Sequence, residues 1–147
     1  MTGPVLDQVN LVVRDMEATL AFYRAAGLDI PEDAVWRTGS GAHHADARMP
    51  GGFSLEFDSG ALAEVYNDGW REPSSAQGRA VLSFRTVSRE EVDQLHEKLT
   101  ALGYPSAQQP YDTFWGARYA IVEDPDGNHV GFMSPSDPSR RSPPPEI

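Results

Sequence analysis

The chain has 147 residues, a formal net charge of −10 and no cysteine, which allows one compact domain or two small fused modules. Without cysteine there are no disulfides, thiolate nucleophiles or cysteine-ligated metal centres, and the composition fits a cytoplasmic protein. The negative charge argues against a nucleic-acid partner; it either favours cationic ligands at long range or serves solubility alone. No apolar run approaches the roughly 18 residues of a membrane span.

The first half of the sequence predicts a strand followed by a helix. Apolar and polar residues alternate over Val5–Val13, which indicates a half-buried strand with Gln8 and Asn10 on its polar face. Asp15 is suited to cap the helix that follows, and the apolar stripe of this helix ends at Gly27.

A β-hairpin is predicted after this helix. Its strands cover Ala42–Met49 and Gly52–Asp58, and a Pro-Gly-Gly turn joins them. A weaker strand candidate, Ala34–Thr38, precedes the hairpin. The polar segment Ser59–Arg79, which carries glycine, proline and serine, is interpreted as a linker.

The second half repeats the strand and the helix. Ala80–Thr86 alternates as a half-buried strand. Ser88 and Glu91 have the spacing of a capping box, which predicts the start of a helix that ends before Gly103. The weaker strand candidate of this half lies near Tyr111.

A second hairpin completes the repeat. Its strands cover Gly116–Glu123 and Asn128–Ser134, around a Pro-Asp-Gly turn. The tail after Ser134 is rich in proline and serine, which predicts disorder.

The two halves therefore predict an α+β fold built from two β-α-β-β-β modules. The turn prolines Pro50 and Pro125 lie 75 residues apart, and the helix caps Asp15 and Ser88 lie 73 apart. We expect the modules to pair into a curved mixed sheet with a central cleft, where a ligand would contact both. The predicted limits are 1–58 for the first module, 59–79 for the linker, 80–134 for the second module and 135–147 for the tail.

Two stretches carry a resemblance to a known family. They are DQVNLVVRDMEATLAFYRAAGLDI near the start and FWGARYAIVEDPDGNHVGF near the end. Together they resemble the vicinal oxygen chelate superfamily, which includes glyoxalases, extradiol dioxygenases and bleomycin resistance proteins. The fold of that superfamily supports isomerases, lyases, dioxygenases and drug-binding proteins, so the resemblance implies a fold more firmly than an activity.

The resemblance also implies where a metal would bind. Enzymes of the superfamily typically hold a divalent ion with four side chains, two from each module. One ligand lies on the first strand of each module and one on the strand after each hairpin turn. In the first module these positions are Gln8 and Glu56, whose oxygens suit a hard cation. Internal register places their counterparts at Val81 and Gly131, which have no side chain that binds metal. The open positions could be filled by water, by His129 or by a histidine of a partner subunit, but we expect no metal cofactor.

Ligand contacts are expected from aromatic residues outside the helices and from polar residues on the sheet faces. Of the adjacent His43 and His44 only one can face the cleft, because neighbouring residues of a strand point to opposite sides. Packing or solvation remains an alternative for each of these residues. The predicted ligand-binding residues are Gln8, Trp36, His44, Glu56, Trp70, Tyr111, Phe114, Trp115, Arg118 and His129.

Two functions follow as alternatives. The first is a metal-free, homodimeric binding protein of the bleomycin-resistance type, which sequesters a bulky aromatic or cationic molecule and has no catalytic residue. The second is a lyase, isomerase or dioxygenase that uses a divalent metal at Gln8 and Glu56 with a nearby histidine. Motifs for serine hydrolysis, phosphoryl transfer or nicotinamide binding do not occur in the sequence.

Overall fold

The computed structural model describes residues 3, 4, 6–74 and 80–146, and it divides into two compact units at Ser74 and Ser75. Val5, where the first predicted strand begins, lies outside the described residues, as do 75–79 of the predicted linker and Ile147 of the tail. None of the described helices is long and apolar enough to cross a membrane.

The first unit contains a four-stranded mixed sheet and two helices. Strand β1 is parallel to β4, and the other neighbours are antiparallel, in the order β1-β4-β3-β2. The elements are β1 (Gln8–Val13), α1 (Met16–Ala25), β2 (Val35–Arg37), β3 (His43–Ala47), β4 (Ser54–Ser59) and α2 (Gly60–Tyr66).

The second unit has the same topology. Strand β5 is parallel to β8, and the sheet order is β5-β8-β7-β6, with antiparallel pairs elsewhere. The elements are β5 (Val81–Arg85), α3 (Arg89–Ala101), β6 (Ser106–Asp112), β7 (Arg118–Glu123) and β8 (His129–Met133). The predicted α+β fold with two β-α-β-β-β modules is therefore confirmed.

The helices begin where their capping residues predict. The carboxylate of Asp15 accepts a hydrogen bond from the Ala18 amide at 3.1 Å, and α1 starts at the next residue. The hydroxyl of Ser88 accepts from the Glu91 amide at 3.1 Å. The Glu91 carboxylate in turn accepts a hydrogen bond from the amide of Val87. In a standard capping box the donor would be the amide of Ser88, the N-cap residue itself.

Alternation along the strands separates an apolar face from a polar one. In the first unit the apolar face packs on α1, and the Tyr23 and Phe57 rings meet at a centroid distance of 4.8 Å. In the second unit α3 packs on β6, β7 and β8, and Val92, Leu99 and Phe132 are buried. In the first unit the polar side chains therefore collect on the sheet face opposite α1.

Two segments differ from expectation. The predicted linker begins with α2, whose cap is the Ser59 hydroxyl, accepting from Leu62 at 3.3 Å. The predicted disordered tail forms a 3-10 turn at Pro138–Arg140, and the Asp137 amide donates to the carbonyl of Gly116 at 2.9 Å. Proline and serine composition did not reveal these caps and backbone bonds, since they depend on local partners.

Candidate functional site

Five polar residues share one face of the first sheet. On β3 and β4, His44 lies opposite Asp58 and Asp46 lies opposite Glu56. On β1, Asn10 lies opposite Glu56. Residues that oppose each other across neighbouring strands point to the same side of a sheet. The register therefore brings an imidazole, an amide and three carboxylates together on the face that α1 does not cover.

Asp58 is the buried centre of this group. It is 1% exposed, and its two oxygens accept hydrogen bonds from His44 Nδ1 at 2.6 Å, Asn10 Nδ2 at 2.8 Å and the Tyr66 hydroxyl at 2.9 Å. Three donors satisfy the carboxylate inside the protein, as a buried charge requires. Burial, together with the bond to Asp58, raises the pKa of Tyr66 to about 12. Helix α2, which ends at Tyr66, thus contributes to the site.

His44 connects Asp58 to the other two carboxylates. While Nδ1 is bonded to Asp58, Nε2 lies 2.9 Å from Asp46 Oδ1 and 3.6 Å from Glu56 Oε1. Burial of the ring opposes its positive charge. The bond to Asp58 and the charges of Asp46 and Asp58 outweigh that effect, so the pKa of His44 is raised above its ordinary value. An imidazolium here balances part of the surrounding negative charge.

Glu56 has the least satisfied oxygen of the group. Its Oε2 is buried and accepts no hydrogen bond from the described residues. Burial, followed by the neighbouring Asp46 carboxylate, raises the pKa of Glu56, and His44 acts in the opposite direction. The donor atoms of His44, Asp46 and Glu56 all lie within 4.8 Å of one another. The arrangement can accept a cation or exchange a proton.

The four metal-binding places implied by the family resemblance do not carry a matching donor set. Gln8 is exposed, and its amide donates to the Asn10 side chain at 2.6 Å. Val81 has no donor atom, and a Cβ added at Gly131 would lie 2.6 Å from the Tyr119 hydroxyl and 2.9 Å from the Ser83 hydroxyl. The ring of Tyr119 thus fills the space that a ligand side chain at position 131 would need. A metal chelated equally by both modules does not fit these residues.

The internal register that located these counterparts is confirmed. Glu56 opposes Asn10 in the first unit, and Gly131 opposes Ser83 in the second. His129, which lies two residues before Gly131 in the sequence, opposes Val81. Its Nε2 lies 3.6 Å from Glu123 Oε1.

Three of the predicted aromatic residues, Tyr111, Phe114 and Trp115, form a connected set with Tyr119 in the second unit. Tyr119 lies 6.5 Å from Tyr111 and 6.1 Å from Trp115, measured between ring centroids. Trp115 meets Phe114 edge-to-face at 5.1 Å, and its Nε1 donates to the sulfur of Met133 at 3.4 Å. Tyr111 and Phe114 are each 38% exposed. Tyr119 was not among the predicted ligand-binding residues, although it is the ring that joins the set.

The structure places the other predicted residues in different surroundings. Trp36 is 44% exposed, and its ring centroid lies 5.7 Å from that of His44, at the edge of the polar group. The Trp70 ring lies beside Gly60 at the start of α2. Arg118 pairs with Asp93 of α3 at 2.9 Å and with Asp112 at 3.4 Å. Because Arg118 and Tyr119 are adjacent in β7, they point to opposite faces, and Arg118 does not join the aromatic set.

Sequence reasoning missed Asp46 and Asp58, although a signal for both was present. In an antiparallel hairpin, residues equally distant from the centre of the turn oppose each other. Counting outward from Gly51 pairs Asp46 with Glu56 and His44 with Asp58, which is the observed register. The two-residue spacing within each strand then places all four on one face.

Comparisons with known proteins agree with this architecture. The family model described as Glyoxalase/Bleomycin resistance protein/Dioxygenase superfamily matches residues 5–132. Among solved structures, a glyoxalase/bleomycin resistance protein/dioxygenase family enzyme from Burkholderia phytofirmans PsJN is 23% identical, with a TM-score of 0.70 over 88% of this chain and 97% of that one. A glyoxalase-related enzyme from Fulvimarina pelagi is 24% identical, with a TM-score of 0.71 over 89% and 88%.

A third solved structure carries the name of a specific activity. It is a lactoylglutathione lyase from Agrobacterium tumefaciens, 20% identical, with a TM-score of 0.63 over 91% of this chain and 96% of that one. At such identities the likeness shows a shared fold. A search of curated proteins found no match.

Proposed function

This chain belongs to the Glyoxalase/Bleomycin resistance protein/Dioxygenase superfamily, and we propose that it is a cytoplasmic, homodimeric binding protein that sequesters a flat aromatic molecule without a metal ion. The observation that carries the proposal is the connected set of Tyr111, Phe114, Trp115 and Tyr119 in the second unit. Tyr119 occupies the position of His44 in the first unit, and its strand partner Tyr111 occupies the position of Trp36.

Stacking is the interaction that this set offers. Aromatic rings supply large contact areas at a small cost in side-chain entropy, and each favourable ring pair contributes about 0.5–1.5 kcal/mol beyond the area it buries. Tyr111 and Phe114 are partly exposed and so present ring surface to a ligand. The protein's net charge of −10 favours ligands that also carry a positive charge.

Tryptophan fluorescence tests the proposal directly. The chain has three tryptophans, and Trp115 belongs to the aromatic set. Planar aromatic compounds with and without a protonated amine are titrated in the presence of EDTA. We expect saturable quenching by at least one compound, and an affinity about 2- to 10-fold weaker in Tyr111→Ala, because one stacking partner is lost.

Phe53→Ala is the matched control, since that ring is 37% exposed, as Tyr111 is 38% exposed, but lies in the first unit and outside the aromatic set. Its affinity should equal that of the unchanged protein. Absence of quenching by every compound, or equal affinity in Tyr111→Ala, would contradict the proposal. Light scattering tests the homodimer, and a monomer mass at micromolar concentration would contradict that part.

A second candidate is a metal-dependent lyase, isomerase or dioxygenase. The observation that favours it is the proximity of the donor atoms of His44, Asp46 and Glu56. A divalent ion supplies a Lewis acid that polarises a substrate oxygen. If EDTA abolished ligand binding and a divalent metal restored it, this candidate would replace the metal-free proposal.

A further inference from the structure

We infer that the first unit carries a divalent transition-metal site of its own, with His44, Asp46 and Glu56 as ligands. The site differs from the arrangement implied by the family resemblance, because two of its ligands lie on β3 and none comes from the second unit. The inference does not rest on the proposed function, because a cation held by the first unit requires no catalysis and no aromatic ligand. Conversely, the proposed stacking on the second unit requires no cation.

The separations of His44 from the two carboxylates are close to those that a metal ion needs, and all three donor atoms lie within 4.8 Å of one another. Nitrogen and carboxylate ligands lie about 2.0–2.2 Å from zinc, so two ligands of one ion are separated by roughly 3–4 Å. His44 Nε2 lies 2.9 Å from Asp46 Oδ1 and 3.6 Å from Glu56 Oε1. All three donors come from one hairpin, in which His44 and Asp46 are two residues apart and Asp46 opposes Glu56.

Asp58 provides an independent indication that the imidazole is prepared as a ligand. Histidines that bind metals commonly donate their other ring N–H to a carboxylate, which fixes the tautomer and the ring orientation. The buried Asp58 accepts from His44 Nδ1 at 2.6 Å, and this leaves Nε2 facing Asp46 and Glu56. Asn10 and Tyr66 hold the other oxygen of Asp58, so the carboxylate is itself fixed.

The Glu56 carboxylate provides a second indication. Its Oε2 is buried and accepts no hydrogen bond from any described residue. A buried carboxylate oxygen without a donor loses the solvation free energy that water would supply. A cation beside Glu56 and Asp46 would restore that interaction, and one ion would compensate both carboxylates.

The donor types select the class of ion. One imidazole nitrogen with two carboxylates suits zinc, manganese, iron or cobalt, whereas magnesium and calcium prefer oxygen ligands alone. Three protein ligands leave at least one coordination position for water or a small ligand. The side chains of His44 and Glu56 are each 17% exposed, so the site is sheltered but open to solvent on one side.

Zinc binding to the full chain tests the inference. After treatment with EDTA and dialysis, the protein is titrated with Zn²⁺ by calorimetry, with Mg²⁺ as the comparison ion. We expect one Zn²⁺ per chain and at least 10-fold weaker binding of Mg²⁺. His44→Gln and Glu56→Gln should each weaken Zn²⁺ at least 10-fold, and Asp58→Asn about 10- to 100-fold through loss of ring orientation.

Glu90→Gln on α3 is the control, because it removes one carboxylate from the second unit and should leave Zn²⁺ affinity unchanged. Paramagnetic Co²⁺ gives a readout that needs no variant, since it should broaden the ring signals of His44 before those of His96. No Zn²⁺ binding at micromolar concentration, equal affinity in His44→Gln, or equal broadening of both rings would overturn the inference. Ligand quenching in EDTA is measured separately, so either proposal can fail alone.

Discussion

The two units share one topology and one register but present different chemistry at equivalent positions. Along the third and fourth strands of each unit, residues of the first unit correspond to residues 75 positions later in the second. The corresponding pairs are His44 with Tyr119, Asp46 with Ile121, Glu56 with Gly131, and Asp58 with Met133.

This difference teaches that a sheet face can change its side-chain chemistry without a change of backbone pairing. In the first unit the four positions carry an imidazole and three carboxylates, which attract a cation. In the second they carry an aromatic ring, two apolar side chains and a glycine, with more rings beside them. The hydrogen-bonded ladder is the same, because backbone pairing does not depend on which side chains project from it.

Removal of the buried carboxylate should show the largest difference between the units. In Asp58→Ala, His44, Asn10 and Tyr66 lose their common acceptor. We expect the free energy of unfolding to fall by about 3–5 kcal/mol, because three donors lose their acceptor and each unsatisfied donor costs about 1–3 kcal/mol. Urea denaturation measures the change, and Asp58→Asn, which conserves volume, separates charge from packing. A loss below about 1 kcal/mol would show that the network adds little to stability.

Asn10 and Ser83 occupy equivalent positions on the first strand of each unit, and replacing them should reduce stability by smaller amounts. Asn10 opposes Glu56 and Ser83 opposes Gly131. Asn10 donates to a charged, buried group, so Asn10→Ala should cost about 1.5–3 kcal/mol. Ser83 bonds only the Tyr119 hydroxyl among the described contacts, at 3.1 Å and exposed, so Ser83→Ala should cost about 0.5–1 kcal/mol. Equal losses in urea denaturation would remove this contrast between the units.

The close approach of Tyr119 to Gly131 predicts that the second unit does not tolerate a side chain there. Gly131→Ala would place a Cβ 2.6 Å from the tyrosine hydroxyl, and the ring must move. We expect a loss of about 1–3 kcal/mol, as overpacking usually costs. The double variant with Tyr119→Ala should lose less than the sum of the two single variants. Additive losses would show that the ring does not occupy this space.

The pKa values of two histidines should be shifted in opposite directions from the ordinary value of an imidazole. In metal-free protein the pKa of His44 is raised, so its contribution to stability is present at low pH and is lost as the pH rises through the folded pKa. Burial lowers the pKa of His96, against the charge of Asp93, so its contribution is lost as the pH falls through the folded pKa. NMR titration of the ring protons checks both directions, and coincident curves would contradict them.

Local signals in the sequence predicted most of the fold. The caps Asp15 and Ser88 located two helices, and the turns at Pro50 and Pro125 located two hairpins. Helix α2 was missed because the polar composition around it favours a loop. The Ser59 cap marks the start of this helix, but a cap is not visible in the pattern of apolar and polar residues.

The candidate site was predicted only in part. His44, Glu56 and Trp36 were identified and lie close together, whereas Arg118 is engaged by Asp93 and Asp112. The ion pair between Arg118 and Asp93 could not be predicted from the sequence, because Asp93 lies on a helix 25 residues earlier in the chain. Ion pairs of this kind depend on how a helix packs on a sheet.

Periodicity, caps and turns lie within short windows of sequence, so the chain by itself determined the repeated strand and helix order and which residues share a strand face. Only the tertiary structure decided that Asp58 is buried and that it collects His44, 14 residues away, and Asn10, 48 residues away. The physical reason is that burial and the choice of hydrogen-bond partner depend on packing between distant segments. Local patterns describe the segments but do not contain the distances between their side chains.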